Sequence, residues 1–342
     1  MTVTDQVRPP RIHDVANLAG VSVATVSRVL SNPAIVSERT RRLVEDAVAQ
    51  TGYTINITAR NLRQQQVGAV LALVPKLANP FFSEILSGIS EALRPERLNL
   101  LVLDTRATMD NQSPSQMIAP YLNRSRSDGV IVLDGLLDAA VFQQPGCPPL
   151  VQACEWIADL DAPRVLADNV AGARLAMEHL IALGHRRILH LTGPAENTLT
   201  QSRREGVLDA AQGANLPPIA QMEGTFTLRS GDAAAQMLLA LPDRPTAVFC
   251  DNDEMAIGLM HGLSRLGIAI PGDISVVGFD NIEMSAYSLP PLTTVSQKRA
   301  RLGKRAAEVL LAQRNTPAAP VSPTILPVEL VIRESTAPPR TP

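Results

Sequence analysis

The sequence predicts an all-α N-terminal headpiece with a helix-turn-helix, followed by an α/β core of two lobes with parallel sheets. Residues 11–50 carry the apolar spacing of three short helices. From about residue 67, short apolar runs such as "VGAVLALV" and "ISVVGFDN" alternate with helical patterns, which is typical of parallel strands covered on both faces. At least nine such runs occur, which is more than one ordinary sheet contains, so two α/β lobes are expected.

The headpiece helices are predicted from signals at their ends. Gly20 suits the left-handed residue that follows a first helix, and Ser22 and Ser37 suit the N-caps of a second and a third helix. Val21 and Val26 have the spacing of a hydrophobic staple around Ser22. Because only a few residues separate the first two helices, the predicted arrangement is a helix-turn-helix.

The second helix has an outer face that suits DNA. On a helical wheel its core side is formed by Ser22, Thr25, Val26, Val29 and Leu30, and its outer side by Val23, Ala24, Ser27 and Arg28. Small apolar side chains can contact thymine methyl groups, and serine and arginine can contact bases or phosphates in the major groove. The alternative is an ordinary three-helix bundle with a solvated surface.

The charge distribution favours the DNA-binding interpretation. Residues 1–66 contain eight arginines and no lysine against five acidic residues, a net charge of +3, whereas the rest of the chain has a net charge of −5. A basic head on an acidic body indicates that the head meets phosphates.

Several motifs resemble one known family. The headpiece sequence "IHDVANLAGVSVATVSRVLSNPAIVSERTRRLVEDAVAQTGY" and the core motifs "NPFFSEI", "HLIALGHRRI", "PTAVFCDNDEMAIG", "ISVVGFDN" and "PPLTTV" resemble the lac repressor (LacI/GalR) family of bacterial transcription regulators. The resemblance covers nearly the whole chain and is greatest to the cytidine repressor branch. It implies a DNA-binding headpiece, a hinge helix and a core similar to periplasmic sugar-binding proteins. It also implies a homodimer on a palindromic DNA operator, with a tetramer as the alternative.

The resemblance implies a short hinge helix after the headpiece. Leu62 matches the residue that paired hinges wedge into the minor groove of DNA, and Asn56, Ala59 and Arg60 are further candidate DNA contacts. This chain has Ile55 where the family usually has proline, so we expect the hinge to begin with a different geometry. A linker without DNA contacts is the alternative.

Carboxylates at the ends of the predicted strands indicate a ligand site in the core. Ligands of open α/β sheets bind beyond the carboxyl ends of the strands. Six aspartates occupy such positions: Asp104, Asp134, Asp168, Asp251, Asp253 and Asp280. The cleft between the two lobes is therefore the expected site, although each aspartate taken alone could cap a helix.

The resemblance also implies which residues would contact a small-molecule effector. The matching positions are Phe81, Phe82, Arg203, Phe226, Asn252, Asp253 and Asp280. One of the two adjacent phenylalanines would stack on a ligand ring while the other packs, and Asp280 would bind sugar hydroxyls. The alternatives are that Asn252 and Asp253 cap the following helix and that Arg203 is solvent-exposed. Trp156, the single tryptophan, either shapes the pocket or packs in the core.

The domain boundaries expected from these patterns divide the chain into a headpiece, a hinge and a core with three crossings between its lobes. The ranges are 10–55 for the headpiece, 56–66 for the hinge, 67–342 for the core, about 67–166 and 292–318 for the N-terminal lobe, and about 167–291 and 319–336 for the C-terminal lobe.

No enzyme, metal or cofactor motif is found in the sequence. The segment "TGPAEN" lacks the ending of a phosphate-binding loop, there is no GxSxG motif, and the five histidines lack metal-ligand spacing. The three cysteines form no CxxC pair and favour a reducing cytoplasm. No apolar leader and no apolar run of membrane-spanning length is present, so we expect neither secretion nor membrane insertion.

The function expected from the sequence is a ligand-controlled transcription regulator, and most simply a repressor. The effector expected is a nucleoside or a related pentose, and hexoses and other sugars remain open. Two alternatives come from other classes: a transport binding protein with the same core, against which the headpiece argues, and an enzyme that processes sugars or nucleosides.

Overall fold

The computed structural model describes residues 8, 10–54, 66–106, 113–315 and 322–340. The chain forms two compact units, Met1–Gln66 and Val67–Pro342. The predicted hinge contacts Asn56, Ala59, Arg60 and Leu62 lie outside the described residues, as does Ile55.

The headpiece contains the three predicted helices, α1 (Ile12–Ala19), α2 (Val23–Ser31) and α3 (Glu38–Thr51). Gly20 ends α1 in the left-handed conformation with φ of 64°. The Ser22 Oγ caps α2 by accepting a hydrogen bond from the Thr25 N–H at 3.1 Å, and Ser37 caps α3 in the same way. The six residues fully buried between the helices are Val15, Ala16, Val26, Val29, Val44 and Ala47. The local signals at the helix ends therefore predicted this unit correctly.

The core contains two six-stranded sheets, each the centre of one lobe. The strands are β1 Ala69–Val74, β2 Asn99–Asp104, β3 Gly129–Val132, β4 Leu150–Ala153, β5 Arg164–Ala167, β6 Ile188–Thr192, β7 Ala220–Glu223, β8 Ala247–Cys250, β9 Ser275–Asp280, β10 Thr293–Ser296, β11 Thr324–Leu326 and β12 Glu329–Val331. The N-terminal lobe has the order β11-β5-β4-β3-β1-β2, and the C-terminal lobe has the order β12-β10-β9-β8-β6-β7. All pairs are parallel except β10 with β12, which confirms the predicted parallel sheets.

Helices cover both faces of each sheet, which explains why the central strands are continuous apolar runs. The helices of the core are α4 Phe81–Leu93, α5 Pro114–Ile118, α6 Asn169–Ala182, α7 Thr198–Gly213, α8 Leu228–Leu239, α9 Asp253–Arg265, α10 Glu283–Tyr287 and α11 Arg299–Asn315. In the N-terminal lobe, α4 and α11 pack on one face, and α5 lies with short 3₁₀ segments on the other. In the C-terminal lobe, α8 and α9 cover one face, and α6 and α7 cover the other.

The chain crosses between the lobes three times, but two crossings differ from the expected positions. The expected N-terminal lobe segment 292–318 is wrong at its start, because β10 pairs with β9 of the C-terminal lobe. The expected C-terminal lobe segment 319–336 is also wrong at its start, because β11 pairs with β5 of the N-terminal lobe. The crossings therefore follow β5, β10 and β11. An apolar run shows that a strand exists but does not show which sheet it joins.

Two glycines let α4 and α11 approach each other closely. A methyl group on Gly88 would overlap the carbonyl oxygen of Ala300, and one on Gly303 would overlap the carbonyl oxygen of Ile85. Because both obstacles are backbone atoms inside helices, neither can move without separating the two helices.

We expect Gly303→Ala to lower the free energy of unfolding by about 1–3 kcal/mol, the usual cost of overpacking a core. Urea denaturation of the full chain measures this. Gly213→Ala at the end of α7 is the matched control, because no atom lies within 4 Å of its added methyl group. Equal stability of the two variants would contradict the close helix contact.

Candidate functional site

The outer face of α2 exposes a small side chain and an arginine. Ala24 and Arg28 are exposed, and Ser27 is half-buried beside them. Arg28 makes no ion pair with any described residue, whereas Arg41 and Arg42 on α3 pair with glutamates on the same helix. The described residues therefore leave the hydrogen-bond donors of the Arg28 guanidinium available to a partner.

The other candidates on α2 also hold the headpiece together. The Oγ atoms of Ser22 and Thr25 lie 2.8 Å apart at the start of the helix. Val23, which the helical wheel placed on the outer face, is half-buried and packs against the headpiece core. Any DNA contact by these three residues therefore comes in addition to a structural role.

A pocket of about 300 Å³ lies between the two lobes of the core. Its lining comes from segments that follow β1 to β4 in the N-terminal lobe and β6 to β9 in the C-terminal lobe. This is the position expected for a ligand site in α/β sheets. Six of the seven predicted effector residues line it: Phe81, Phe82, Arg203, Phe226, Asn252 and Asp280.

Arg203 and Asp280 form the charged floor of the pocket. The Arg203 side chain is buried, its Nε donates to Asn169 Oδ1 at 3.0 Å, and its Nη1 donates to the Asp251 carbonyl oxygen. The guanidinium also lies 3.9 Å from the centre of the Phe279 ring. Its Nη2 lies 3.8 Å from Asp280 Oδ1 and has no hydrogen-bond partner among the described residues. Arg203 is therefore not the exposed helix arginine that was the alternative, and no described residue accepts a hydrogen bond from its Nη2.

The Asp280 carboxyl is buried, and two arginines lie close enough to influence its pKa. Its Oδ1 accepts a hydrogen bond from Gln297 Nε2 at 2.6 Å. Burial raises the pKa of Asp280 to about 7, although Arg203 and Arg299 oppose the shift. Near neutral pH this carboxyl can therefore accept hydrogen bonds when charged and also donate one when protonated.

Asp253, unlike the other six predicted effector residues, does not line the pocket. Its side chain is completely buried, Oδ2 accepts a hydrogen bond from the Ile282 N–H at 2.9 Å, and Oδ1 accepts one from Thr294. Burial is the main cause that raises the pKa of Asp253, followed by the charge of Asp280. One carboxyl oxygen of Asp253 thus holds the backbone two residues after Asp280, and the other binds a side chain of β10.

Asn252 and Phe226 combine lining with structural roles. Asn252 caps α9 through Oδ1, which accepts a hydrogen bond from the Met255 N–H at 3.0 Å, and its Nδ2 donates to the Phe226 carbonyl oxygen at 3.2 Å. The Phe226 ring lies directly over Gly193, where any side chain would overlap it. Asn252 therefore caps α9 and also lines the pocket, so its capping role leaves the predicted effector contact open.

Phe81 and Phe82 form an aromatic wall on the N-terminal lobe. Their ring centres lie 5.1 Å apart at an angle of 83°, an edge-to-face arrangement, and both rings are buried and line the pocket. We expected one ring to pack and the other to face the ligand, but in the structure both rings pack in the core and both line the pocket. Trp156 packs against the core of this lobe and does not line the pocket.

Sequence reasoning missed Glu155, which lines the pocket directly after β4. Its side chain is buried, and its Oε2 accepts a hydrogen bond from the Gly135 N–H at 2.9 Å. Burial raises the pKa of Glu155 to about 7, and the Gly135 hydrogen bond opposes the shift. The signal was available, because Glu155 is a carboxylate beyond a predicted strand, as Asp104 and Asp280 are.

The four remaining strand-end aspartates serve the structure. Asp134 accepts from Thr105 and Arg106, Asp168 caps α6, and Asp251 accepts from His190 and the Gly193 N–H; Asp253 is described above. Within the described ranges no cluster of side chains is suited to hold a metal ion, and no helix is long and apolar enough to cross a membrane.

Comparison with known proteins identifies related domains in both units of the chain. Residues 11–56 match the model for bacterial regulatory proteins of the lacI family, and residues 177–336 match a periplasmic binding protein-like domain. The chain is 38% identical over 327 residues to the HTH-type transcriptional repressor CytR of Escherichia coli K12, covering 94% of this chain and 95% of the relative. The chain belongs to the lacI family of bacterial regulatory proteins.

Other lacI-family members support the same assignment. The ribose operon repressor of Haemophilus influenzae is 33% identical over 94% of this chain and 97% of its own. The crystal structure of the lac repressor dimer bound to operator and the anti-inducer ONPF superimposes with a TM-score of 0.84 at 31% identity, over 96% of this chain and all of that one. These relatives are DNA-binding repressors and not enzymes, and the predicted fold and regulator class are thereby confirmed.

The raised pKa of Glu155 predicts a pH-dependent stability. Between about pH 4.5 and 7, the folded chain keeps the proton on Glu155 that the unfolded chain releases, so the stability falls as the pH rises. We expect Glu155→Gln, which has no proton to lose, to be more stable than the wild type at pH 8 and to differ less from it at pH 5. Thermal unfolding at the two pH values measures the difference, and a wild-type–variant difference independent of pH would contradict the assignment.

Proposed function

We propose that this lacI-family repressor binds its operator through α2 and a hydroxyl-rich small molecule, either a nucleoside or a sugar, in the inter-lobe pocket. The observation that carries the effector proposal is that the buried Nη2 of Arg203, beside the Asp280 carboxyl, has no hydrogen-bond partner within the described part of the chain. A buried donor without a partner is costly, and a ligand oxygen would satisfy it. Occupancy of the pocket then changes the affinity of the headpiece for DNA.

The chemistry of the two pocket walls favours a nucleoside over a simple hexose. Neighbouring hydroxyls of a pentose can donate to Asp280 and accept from Arg203 at the same time. The rings of Phe81 and Phe82 on the other wall offer an apolar surface to a flat base. A hexose is the second candidate, because the apolar face of a sugar ring also packs on aromatic side chains.

The assembly we propose is a homodimer on a palindromic operator, with a tetramer as the alternative. The lac repressor relative is a dimer bound to operator. In a two-fold dimer each headpiece contacts one half-site, so the two α2 helices bind equivalent sequences. In this proposal Leu62, Asn56, Ala59 and Arg60 act at the DNA between the half-sites, and the protein works in the bacterial cytoplasm, where the chromosome lies.

A thermal-shift screen with cytidine, adenosine, ribose and cellobiose tests the effector proposal. A ligand in hundredfold excess over its dissociation constant stabilises the folded chain by about 2.7 kcal/mol, which gives a clear shift. Operator DNA for the binding assays is selected in vitro from random duplexes. If no nucleoside or sugar shifts the protein or changes its operator affinity, the proposed effector class is wrong.

We expect Arg28→Ala to weaken specific operator binding by about 1–3 kcal/mol, because one base or phosphate contact is lost. Fluorescence anisotropy at fixed salt concentration measures the affinity. Arg42→Ala removes the same charge from a headpiece arginine that is paired with Glu38, and should have a much smaller effect. Equal losses in both variants would show that only the net charge matters.

We expect Asp280→Asn to weaken effector binding about tenfold or more, since hydrogen bonds to a charged group contribute about 1.5–3 kcal/mol. Operator binding without effector should persist. Calorimetry with the ligand that shifts the wild type gives the affinity, and Glu283→Gln, an exposed carboxylate three residues later, is the control. Wild-type effector affinity in Asp280→Asn would remove Asp280 from the effector site.

A further inference from the structure

Arg299 is a buried arginine that contacts both lobes of the core. It is the first residue of α11, directly after the chain has crossed from the C-terminal lobe, and it is 3% exposed. Its Nη1 donates to the carbonyl oxygens of Pro80 and Phe81 at 3.4 and 3.2 Å. Its Nη2 donates to Glu84 Oε1 at 2.9 Å and to the Asn281 carbonyl oxygen at 3.1 Å. The first three acceptors belong to the start of α4, and the last belongs to the C-terminal lobe.

The C-terminal lobe acceptor lies in the turn that carries Asp280. Asp280 and Asn281 have φ values of 120° and 54°, so two consecutive residues other than glycine occupy the left-handed half of the backbone map. Such conformations are unfavourable for these residue types and persist only where the surroundings hold them. Asp253 holds the Ile282 N–H, Thr294 holds the Asn281 N–H, and Arg299 holds the Asn281 carbonyl oxygen.

The residues of this turn point in different directions. Asp280 lines the pocket, while the side chain of Ile282 is buried in the hydrophobic core of the N-terminal lobe. The turn therefore connects the Asp280 carboxyl in the pocket to a side chain that contacts the other lobe. On that other lobe, Phe81 and Phe82 line the same pocket at the start of α4.

We propose that Arg299 is the positioning residue that joins the Asp280 turn to the first turn of α4, so that an effector bound at Asp280 acts on the N-terminal lobe through it. The proposal rests on the effector site proposed above. Arg299 itself does not line the pocket, so it affects binding through the groups it holds.

The arrangement requires the shape of an arginine side chain. A guanidinium presents its donors as a rigid planar fork, and here each Nη nitrogen serves two acceptors. A lysine ammonium has three donors at one point and cannot reach acceptors on both sides of the fork with the same geometry. Arg299→Lys therefore keeps the charge but loosens the connection between the lobes.

The test compares Arg299→Lys with Arg301→Gln, an exposed arginine on the same helix. Operator affinity is measured with and without cytidine, adenosine and ribose as probes. We expect Arg299→Lys to lower the effector-dependent change in operator affinity by about 2- to 30-fold, the range of substitutions along coupling networks, with a smaller change in probe affinity. Arg301→Gln should behave as the wild type does. Full coupling in Arg299→Lys would overturn the proposal.

A second variant and a measurement without ligand keep the test decisive. Glu84→Gln removes the negative charge that pairs with Arg299 at a half-exposed position, and should reduce the coupling in the same direction. Without any probe, Arg299→Lys should speed hydrogen exchange both at the start of α4 and in residues 281–287. If no probe affects the wild type, the proposed effector class is wrong and exchange alone decides the role of Arg299. In that case, unchanged hydrogen exchange at the start of α4 or in residues 281–287 would overturn the proposed role of Arg299.

Discussion

The buried carboxyl of Asp280 is the group on which the pocket depends. Burial raises its pKa to about 7, and the hydrogen bond from Gln297 and the nearby charges of Arg203 and Arg299 favour its charged form. The strained backbone of Asp280 and Asn281 is held by hydrogen bonds from several elements. A ligand oxygen that accepts a hydrogen bond from Arg203 Nη2, which has no partner among the described residues, would stabilise this arrangement. Such strain is typical of functional positions.

The topology places this group against the other lobe. Both sheets are parallel at their centres, so their carboxyl ends form the two walls of one pocket. The chain crosses between the lobes after β5, β10 and β11, which joins them by three connections. Three short connections favour a hinge motion over independent lobes, and a hinge can respond to a ligand held from both sides. An effector shifts such an equilibrium only through its different affinities for the two states.

The parts that were predicted correctly depend on local rules, and the parts that were not depend on tertiary contacts. The helix ends are marked by local capping interactions at Gly20, Ser22 and Ser37. Each of these interactions involves residues only a few positions apart, so the sequence pattern predicts them. β10 joins the sheet of the C-terminal lobe and β11 joins the sheet of the N-terminal lobe. The choice of sheet depends on tertiary contacts, and the local sequence pattern does not encode it. Asp253 and Glu155 illustrate the same limit. Both are carboxylates next to strand ends, but Thr294 and Ile282 donate hydrogen bonds to the first, whereas the second lines the pocket.

The central claim is that the pocket and the DNA-binding headpiece are thermodynamically coupled. Coupling is reciprocal: if an effector changes operator affinity by some factor, the operator must change effector affinity by the same factor. Calorimetric titration of the full-length protein with the effector found in the screen, once free and once saturated with operator DNA, measures this directly. We predict two different effector affinities whose ratio equals the effector-dependent ratio of operator affinities. The same effector affinity in both titrations would contradict the account.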